Sequence, residues 1–475
     1  MLLPLAALGA GLKLTPCRLE HPARMLALSA QCGTLTVPEN YAKPDGRKID
    51  LFIARVPAIS LNKAPDPLFL IAGGPGTSAV DMYTSSAAPF DRARRNRDII
   101  LLDQRGTGRS HRLDCRYNQD LFQKLDQVEV GPENRKCRDE LAKTSDLTQY
   151  TTSVAVKDLE TARQALGYER INLYGGSYGT RVAQHYARRY PRATRTVILD
   201  GVIYPELVLG PDIALDAEHA LERILERCRQ DRFCAKAFPD PHADYRELLA
   251  KLTSTPAHAT VGDAVTGRPI NFDFTAKHLS AVLRFASYND DQAALLPLSL
   301  HLAAHEQNFT PLANQFRVYA RTLDESFAYG MHNSVACSED TPLIDAKKLD
   351  RAALDATHMG SSQVLELIET CVDWPHGVVD ADLHAPLHSD AAALLLSGAD
   401  DPVTPPEYAV RAQKGFADST HVVVAGHGHG QLTAPCVDRI IANFLVTGTA
   451  KGLDATCTRK LAPMPFFITL AGPAP

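Results

Sequence analysis

A serine set among glycines is the residue whose type and spacing point most directly to chemistry. Ser177 stands in Gly175-Gly176-Ser177-Tyr178-Gly179, directly after the apolar run INLY and before a helical pattern. The run fits G-x-S-x-G between a strand and a helix, where a tight turn projects the serine hydroxyl as a nucleophile. The N-terminus of the helix also offers backbone N–H groups to a developing oxyanion. We therefore predict that Ser177 attacks a carbonyl carbon; the alternative is a plain glycine-rich turn.

The second candidate residue is an acid. A serine hydroxyl is a weak nucleophile and needs a base, which needs an acid to orient it, in the chain order serine, acid, histidine. Residues 396–405 read LSGADDPVTP, an apolar strand that ends in glycine and two aspartates. Such a carboxylate lies at the sheet edge where sites form. Asp401 is the better candidate because Pro402 fixes the loop after it, and Asp400 is the alternative acid. The alternative to a catalytic role is an aspartate that only caps a helix.

The base is predicted in the run GHGHG, residues 426–430, which follows the last predicted strand. His427 and His429 are both flanked by glycine, and either ring could turn toward Ser177, so spacing alone does not choose between them. A two-histidine metal site is the alternative for this pair, but His-x-His without an obvious third ligand is weak evidence for one. The predicted serine chemistry implies no metal ion and no organic cofactor.

A third glycine cluster, Gly73-Gly74-Pro75-Gly76, follows the apolar run LFLIA. In the predicted order of motifs, this loop is where the second donor to the oxyanion belongs. Pro75 has no N–H and cannot donate. We predict that the oxyanion is held by the N–H groups of Gly74 and Tyr178, with Gly73 as the alternative to Gly74.

Short apolar runs of buried-strand type alternate with helical patterns around these motifs. The predicted strands are residues 49–56, 68–72, 98–102, 171–174, 197–199, 393–396 and 421–425. Strands that alternate with helices indicate a largely parallel sheet. The alternation stops between about Tyr204 and Leu387, where helical patterns dominate. We therefore predict three segments: a first core part at 1–204, a helical insertion at 205–387, and a second core part at 388–475.

Four helices are predicted inside the insertion, at residues 213–228, 245–252, 276–286 and 291–304. On the last of them, His301 and His305 are four residues apart. We interpret these two histidines as solvated or capping side chains.

The ten cysteines predict disulfides. Their number is even, they occur as near neighbours along the chain, and none forms Cys-x-x-Cys. Zinc-ribbon and thioredoxin-like sites are therefore disfavoured, and an oxidising compartment is favoured. The alternative is ten buried free thiols in a cytosolic protein. The simplest pairing joins neighbours: Cys17–Cys32, Cys115–Cys137, Cys228–Cys234, Cys337–Cys371 and Cys436–Cys457.

The composition narrows the class of protein. The chain has 475 residues, 45% hydrophobic and 22% charged, which is typical of a soluble globular protein. Its net charge is −5 with no strongly basic half, so we predict no nucleic-acid partner. No apolar run approaches the roughly 20 residues of a membrane span, so we predict no stable membrane anchor. Residues 1–12, MLLPLAALGAGL, are either the remainder of a signal sequence or a loose apolar N-terminus.

Taken as a set, the motifs resemble the prolyl and tripeptidyl aminopeptidase branch of the α/β-hydrolases. The matching pieces are VPENYAKPDGRKIDLFIARVPA, GGPG, DQRGTGRS, GGSYGT, SGADDPVTPP and GHGHGQ, in the order of that family. The family usually has histidine before the glycine loop, where this chain has Ala72. The resemblance implies an α/β-hydrolase fold, with a mostly parallel central sheet, flanking helices and a helical cap inserted over the site. It also implies Asp401 as the acid, His429 as the base, and a periplasmic or secreted enzyme.

The same resemblance implies a serine peptidase that releases residues or short peptides from a free N-terminus. Such an enzyme must recognise an ammonium group, and the candidate cap carboxylates are Glu339, Asp340 and Asp373; the alternative for each is an exposed carboxylate without that role. A carboxylesterase or lipase-like hydrolase of small esters with the same triad is the alternative function. A non-catalytic binding protein on the same fold is the third.

Overall fold

The computed structural model describes residues 12–21, 27–115, 130–263 and 266–474. Residues 1–11, which make up nearly all of the apolar N-terminal segment, lie outside the described residues. Within the described ranges, no helix combines the length and the apolar character that a membrane span needs.

Nine strands form one central sheet. In spatial order they are β1 (Thr15–Glu20), β2 (Ala27–Pro38), β3 (Lys48–Val56), β5 (Ile99–Leu102), β4 (Leu68–Ile71), β6 (Ile171–Gly176), β7 (Thr194–Asp200), β10 (Ala392–Gly398) and β11 (Ser419–Val424). Pairing is antiparallel from β1 through β3 to β5 and parallel from β5 to β11. Each of the seven predicted strands overlaps one of these. The predicted mostly parallel sheet is therefore confirmed.

Helices cover both faces of this sheet. They are α1 (Ala79–Ser85), α2 (Asp91–Arg94), α3 (Val130–Leu141), α4 (Thr152–Ala165), α5 (Tyr178–Arg189), α15 (Pro406–Gln413) and α16 (Val437–Thr447). Because side chains alternate along a strand, β7 contributes to two cores. Val197 and Leu199 pack in the cluster with α4, α5 and α15, whereas Ile198 packs in the cluster with α1, α2 and α16. Burial on both faces explains why the central strands are continuous apolar runs in the sequence.

The chain leaves the sheet after β7 and returns at β10. The elements between them are α6 (Ile213–Gln230), α7 (Arg232–Ala237), α8 (Pro241–Ser254), β8 (Ala257–Gly262), β9 (Pro269–Phe274), α9 (Ala276–Ala286), α10 (Asp290–Glu306), α11 (Thr310–Ser326), α12 (Tyr329–Glu339), α13 (Arg351–Asp355) and α14 (Ser362–Val372). The four predicted helices correspond to α6, α8, α9 and α10. The antiparallel β8–β9 pair was not predicted.

The inserted elements contribute to four hydrophobic clusters, two of which are small. Helices α6 and α8–α11 share a cluster of their own with the β8–β9 pair. Met331 and Val335 of α12, and Trp374 after α14, belong instead to the cluster beneath the central sheet. The Trp374 indole donates a hydrogen bond to Ser334 Oγ at 3.1 Å, which fixes it as a core side chain. The boundaries 205 and 387 remain a prediction from the sequence, and they enclose both groups.

All ten cysteines form disulfides, in the predicted pairing of neighbours. The bonds are Cys17–Cys32, Cys115–Cys137, Cys228–Cys234, Cys337–Cys371 and Cys436–Cys457. Two of them join helices of the insertion, α6 to α7 and α12 to α14. Near the C-terminus, a short hairpin of β12 (Phe467–Thr469) and β13 (Gly472–Pro473) packs against α10 and α7.

Candidate active site

Ser177 occupies the turn between β6 and α5. Its φ of 53° and ψ of −123° are sparsely populated by a residue with a side chain, as expected for a strained nucleophile turn. A Cβ atom at Gly175 would collide with the Gly179 carbonyl, and one at Gly179 would collide with the Ile71 carbonyl. Gly175 is therefore required for β6 and α5 to meet at this turn, and Gly179 is required for α5 to pack against the end of β4. The backbone places the Ser177 side chain beyond the carboxyl end of β6.

The acid and the base follow the next parallel strands, β10 and β11. Nδ1 of His429 lies 2.8 Å and 3.0 Å from the two carboxylate oxygens of Asp401. Asp401 is fully buried and also accepts hydrogen bonds from the Val403 N–H at 2.9 Å and from the Thr404 N–H and hydroxyl, both at 2.8 Å. Burial alone would raise the pKa of Asp401, but His429 and these donors hold it below its usual value. Asp401 therefore remains charged.

The His429 ring is held from three sides. Its backbone N–H donates to the Tyr288 carbonyl at 3.0 Å, and the two rings meet edge to face at 5.0 Å between centroids. A Cβ at Gly201 would lie 2.9 Å from His429 Cε1, so a larger residue there would displace the ring. Burial alone would lower the pKa of His429, but the Asp401 carboxylate raises it above its usual value. With Nδ1 directed at Asp401, Nε2 is the nitrogen left to accept a proton.

Asp200, at the end of β7, connects the serine turn to the histidine loop. Its carbonyl accepts the Ser177 N–H at 2.8 Å. Its carboxylate accepts the Gln431 N–H at 2.8 Å and 2.9 Å and the Tyr174 hydroxyl at 2.8 Å. Burial raises the pKa of Asp200 to about 6. We did not predict this residue, although an aspartate that ends a strand run is the same signal that identified residues 400 and 401.

Among the described residues, Ser177 Oγ makes no hydrogen bond to His429. Catalytic hydrogen bonds are often long in the absence of substrate and tighten when it binds. The structure thus brings Asp401 and His429 into direct contact and places Ser177 on the neighbouring turn, with Asp200 bonded to both loops.

The alternative acid and base have other partners. Asp400 lies 3.7 Å from Arg223 Nε and 3.7 Å from Arg227 Nη2, beside an open cleft of about 930 Å³. His427 Nδ1 lies 2.8 Å from Asp290 Oδ2, at the start of α10. Neither side chain contacts the Asp401–His429 pair through a hydrogen bond. The inserted helices α6 and α10 thus provide the contacts of Asp400 and His427. These contacts distinguish the two alternatives from Asp401 and His429, which spacing in the sequence could not do.

The glycine loop after β4 lies against the serine turn. A Cβ at Gly73 would lie 2.9 Å from Ser177 Cβ, so Gly73 is in direct contact with the candidate nucleophile. Gly74 has a φ of 109°, and a Cβ there would lie 2.7 Å from the Gly76 nitrogen. The loop therefore depends on glycine at both positions. The assignment of the Gly74 and Tyr178 N–H groups as oxyanion donors remains a prediction.

Two of the three predicted ammonium-binding carboxylates are buried. Asp340 accepts two hydrogen bonds from Arg181, both at 2.9 Å, and one from the Leu209 N–H at 2.8 Å. Glu339 accepts the N–H and the hydroxyl of Thr152, at 2.6 Å and 2.9 Å. It lies 3.5 Å from Arg181. Burial raises the pKa of Glu339 to about 7, although the charge of Arg181 and the hydrogen bonds from Thr152 lower it, and the nearby Asp340 carboxylate adds to the rise.

The third predicted carboxylate, Asp373, is half-exposed and lies 3.5 Å from Arg135 of α3. A fourth carboxylate, which we did not predict, is Asp216 of α6. The Tyr408 hydroxyl donates to it at 2.6 Å. Burial raises the pKa of Asp216 to about 6, and it lies near enough to Asp401 for the two negative charges to repel. Asp216 thus brings an acidic side chain of the insertion close to the candidate active site.

Comparison with protein-family models agrees with this fold. A family model described as alpha/beta hydrolase fold matches residues 66–432. A tripeptidyl aminopeptidase of Streptomyces coelicolor is 24% identical over 470 residues, covering 92% of this chain and 84% of that protein. The serine protease Hip1 of Mycobacterium tuberculosis is 24% identical over 490 residues, covering 95% of this chain and 91% of that protein. The crystal structure of a Mycobacterium smegmatis proline iminopeptidase matches with a TM-score of 0.43 at 15% identity, covering 88% of this chain and 98% of that one.

Proposed function

Because the chain belongs to the α/β-hydrolase fold family, we propose that it is a serine hydrolase with Ser177, His429 and Asp401 as its catalytic triad. The observation that carries the proposal is the 2.8 Å contact between His429 Nδ1 and the buried Asp401 carboxylate. This contact lies at the carboxyl edge of the sheet, where the strained turn of Ser177 also stands.

In the proposed reaction, Ser177 Oγ attacks a carbonyl carbon and His429 Nε2 takes the hydroxyl proton. His429 then returns that proton to the leaving group, and Asp401 stabilises the charged ring. The N–H groups of Gly74 and Tyr178 hold the oxyanion, with Gly73 as the alternative to Gly74. Water then attacks the acyl carbon while His429 takes a proton from it, and His429 gives that proton to Ser177 Oγ as the bond to the acyl group breaks.

The proposed substrate is a peptide with a free N-terminus, from which the enzyme removes residues or a short peptide. Two relatives that match more than nine-tenths of the chain are named as a tripeptidyl aminopeptidase and a serine protease, which supports peptide hydrolysis. The five disulfides support a periplasmic or secreted location, because such bonds persist in oxidising compartments.

An aminopeptidase needs a carboxylate that receives the substrate ammonium group. Glu339 and Asp340 would have to exchange the Arg181 and Thr152 contacts for that role, and Asp373 would have to exchange its contact with Arg135. Asp216 is the fourth candidate, since its charge already interacts with Asp401. Single Glu→Gln and Asp→Asn variants at these positions test the four: loss of the preference for a free amine, with esterase or blocked-peptide cleavage unchanged, identifies the ammonium site.

The test of the function compares the wild type with Ser177→Ala on three substrate sets. These are free-amine aminoacyl and tripeptidyl amides, the same amides with blocked amines, and short acyl esters. The exposed serine of Ser362→Ala serves as the matched control. Cleavage of the free-amine amides alone, lost only in Ser177→Ala, supports the aminopeptidase. Cleavage of esters alone would replace it by the carboxylesterase, and full activity in Ser177→Ala would overturn the triad.

A further inference from the structure

Three potential metal ligands meet in the inserted region, between α8 and α10. Oδ2 of Asp244 lies 3.2 Å from His301 Nδ1, and Oδ1 of Asp244 lies 2.8 Å from His305 Nε2. One ligand atom from each of the three side chains lies within 4.8 Å of the other two. The two histidines thus contact a carboxylate of another helix, rather than only solvent or their own helix end.

Helical geometry places both imidazoles on the same side of α10. Residues four apart lie on one face of a helix, one turn above the other. The centroids of the His301 and His305 rings are accordingly 4.4 Å apart. His305 stands in the last turn of α10, which ends at Glu306, and the C-terminus of a helix favours a positive charge.

The surroundings of the buried Asp244 carboxylate favour a bound cation. Its side chain is only 9% exposed, and its ion-pair partners among the described residues are the two histidines; no described lysine or arginine nitrogen lies within 4.0 Å of its oxygens. A buried carboxylate is costly unless its charge is paired, so this site favours a positively charged partner. A divalent cation between the three side chains would supply that charge.

A second group of histidine and aspartate side chains differs from this one because an arginine pairs with its carboxylates. His185, Asp380 and Asp382 also have ligand atoms within 4.8 Å of one another. The Arg189 guanidinium, however, binds both aspartates, with its Nε 3.0 Å from Asp380 Oδ2. An arginine therefore already pairs with the carboxylates at that place, whereas no described lysine or arginine nitrogen lies within 4.0 Å of the Asp244 carboxylate.

We propose that Asp244, His301 and His305 bind a first-row divalent transition metal ion, with Zn²⁺ as the reference ion. Two imidazole nitrogens and a carboxylate oxygen are a donor set that Zn²⁺ accepts, and water fills the remaining position. Ligand atoms about 2.05 Å from a tetrahedral ion stand roughly 3.3 Å apart. The 2.8 Å and 3.2 Å separations, each to a different oxygen of Asp244, are close to that value. One ligand atom from each side chain lies within 4.8 Å of the other two, so binding would draw the three ligand atoms together through side-chain movements.

The ion would tie α8 to α10, and through them stabilise the separate core of the insertion. This role is independent of the proposed hydrolase activity, because it concerns the stability of the inserted helices. It is also independent of the histidines that follow β11, which belong to a different loop. The experiment that tests the triad and the experiment that tests the metal site can therefore fail independently of each other.

The test measures binding of ZnCl₂ to protein freed of metal with a chelator, by calorimetry and by thermal unfolding, with CoCl₂ absorption as a spectroscopic probe. The variants are Asp244→Asn, His301→Gln and His305→Gln. The control is His258→Gln, which removes an exposed histidine 2.7 Å from Asp273 in the same region but without a third ligand. Because His305 is half-exposed, His305→Gln is the variant that tests the site if Asp244→Asn does not fold.

We expect one equivalent of Zn²⁺ to bind the wild type and His258→Gln, with a melting temperature that rises with Zn²⁺ concentration. Each ligand variant should weaken this binding at least about tenfold, since loss of an outer-shell partner alone costs that much. The proposal is overturned if the wild type binds no equivalent. It is also overturned if His305→Gln binds as tightly as the wild type, which would place the ion elsewhere, such as at His429.

Discussion

The buried carboxylate of Asp200 acts on the His429 ring and raises its pKa, while the Asp200 carbonyl accepts the Ser177 N–H at 2.8 Å. One residue at the end of β7 thus contacts the turn of the proposed nucleophile and sets the charge environment of the proposed base. Neither the hydrogen bond to Ser177 nor the electrostatic effect on His429 is visible in the spacing of the sequence motifs.

We predict that Asp200→Asn moves the acid limb of the pH–rate profile to lower pH. His429 accepts a proton only when neutral, so kcat/KM rises as pH increases through its pKa. Asp200 is charged above about pH 6 and stabilises the protonated ring, which raises that pKa. Its removal should lower the midpoint of the limb by up to about one unit. The measurement is kcat/KM against pH.

The matched control for that experiment is Asp66→Asn, which changes a buried aspartate before β4, at the opposite edge of the sheet. Its profile should keep the wild-type midpoint. An unchanged midpoint in Asp200→Asn, with normal folding by circular dichroism, would contradict the electrostatic role of Asp200.

We predict that Thr404→Val lowers kcat about tenfold while the protein stays folded. The Thr404 hydroxyl donates to Asp401 Oδ2 at 2.8 Å and lies 3.1 Å from His429 Nδ1. Loss of a hydrogen bond to a charged group costs about 1.5–3 kcal/mol. Part of this cost should raise the activation barrier, because Asp401 would then orient the His429 ring less well. Steady-state kinetics should show the loss in kcat more than in KM. Thr404→Ser, which keeps the hydroxyl, should recover most of the activity; no recovery would assign the loss to packing.

We predict different effects for the two histidines of the GHGHG run. His429→Gln should reduce kcat by about 10⁴-fold or more, as removal of a triad base does. His427→Gln should reduce it far less, because His427 contacts Asp290 rather than Asp401. Parallel assays of the two variants measure the difference. Equal losses, or a larger loss in His427→Gln, would require a different base.

We predict that Glu339→Gln changes how stability depends on pH. Burial raises the pKa of Glu339 from 4.5 to about 7, so the folded protein binds this proton more tightly than the unfolded chain does. The wild type should therefore lose stability as pH rises from 4.5 to 7, by about 3 kcal/mol from this group. Glutamine cannot ionise, so the variant should lack that part of the slope.

The measurement for Glu339→Gln is denaturant unfolding at several pH values with the disulfides intact. As pH rises from 4.5 to 7, the free energy of unfolding of the variant should increase relative to that of the wild type. A constant difference would mean that Glu339 is charged throughout, held by Arg181. The same variant, assayed on free-amine and blocked substrates, reports whether Glu339 recognises an ammonium group.

Some features could not be predicted because they depend on contacts between distant residues. Asp340 meets Arg181 across 159 positions of the chain. Asp244 meets His301 and His305 only because α8 packs on α10. The β8–β9 pair was missed although burial alternates along both strands, because each strand has only six residues and lies in a region dominated by helical patterns. The hydrophobic clusters of the insertion likewise depend on how its helices pack, which no local pattern encodes.

The sequence by itself indicated the parallel sheet and the serine turn, because strand periodicity and glycine requirements are short-range properties. It offered the pairing of neighbouring cysteines only as the simplest connectivity, which the structure confirms. The acid and base candidates came as pairs of neighbours, 400 with 401 and 427 with 429, of which the family resemblance favoured 401 and 429. Only the tertiary structure showed that Asp401 and His429 contact each other while Asp400 and His427 have other partners, and only it brought in Asp200. The reason is physical: which of two adjacent side chains meets a partner depends on the register of β10 and β11 and on the helices packed above them.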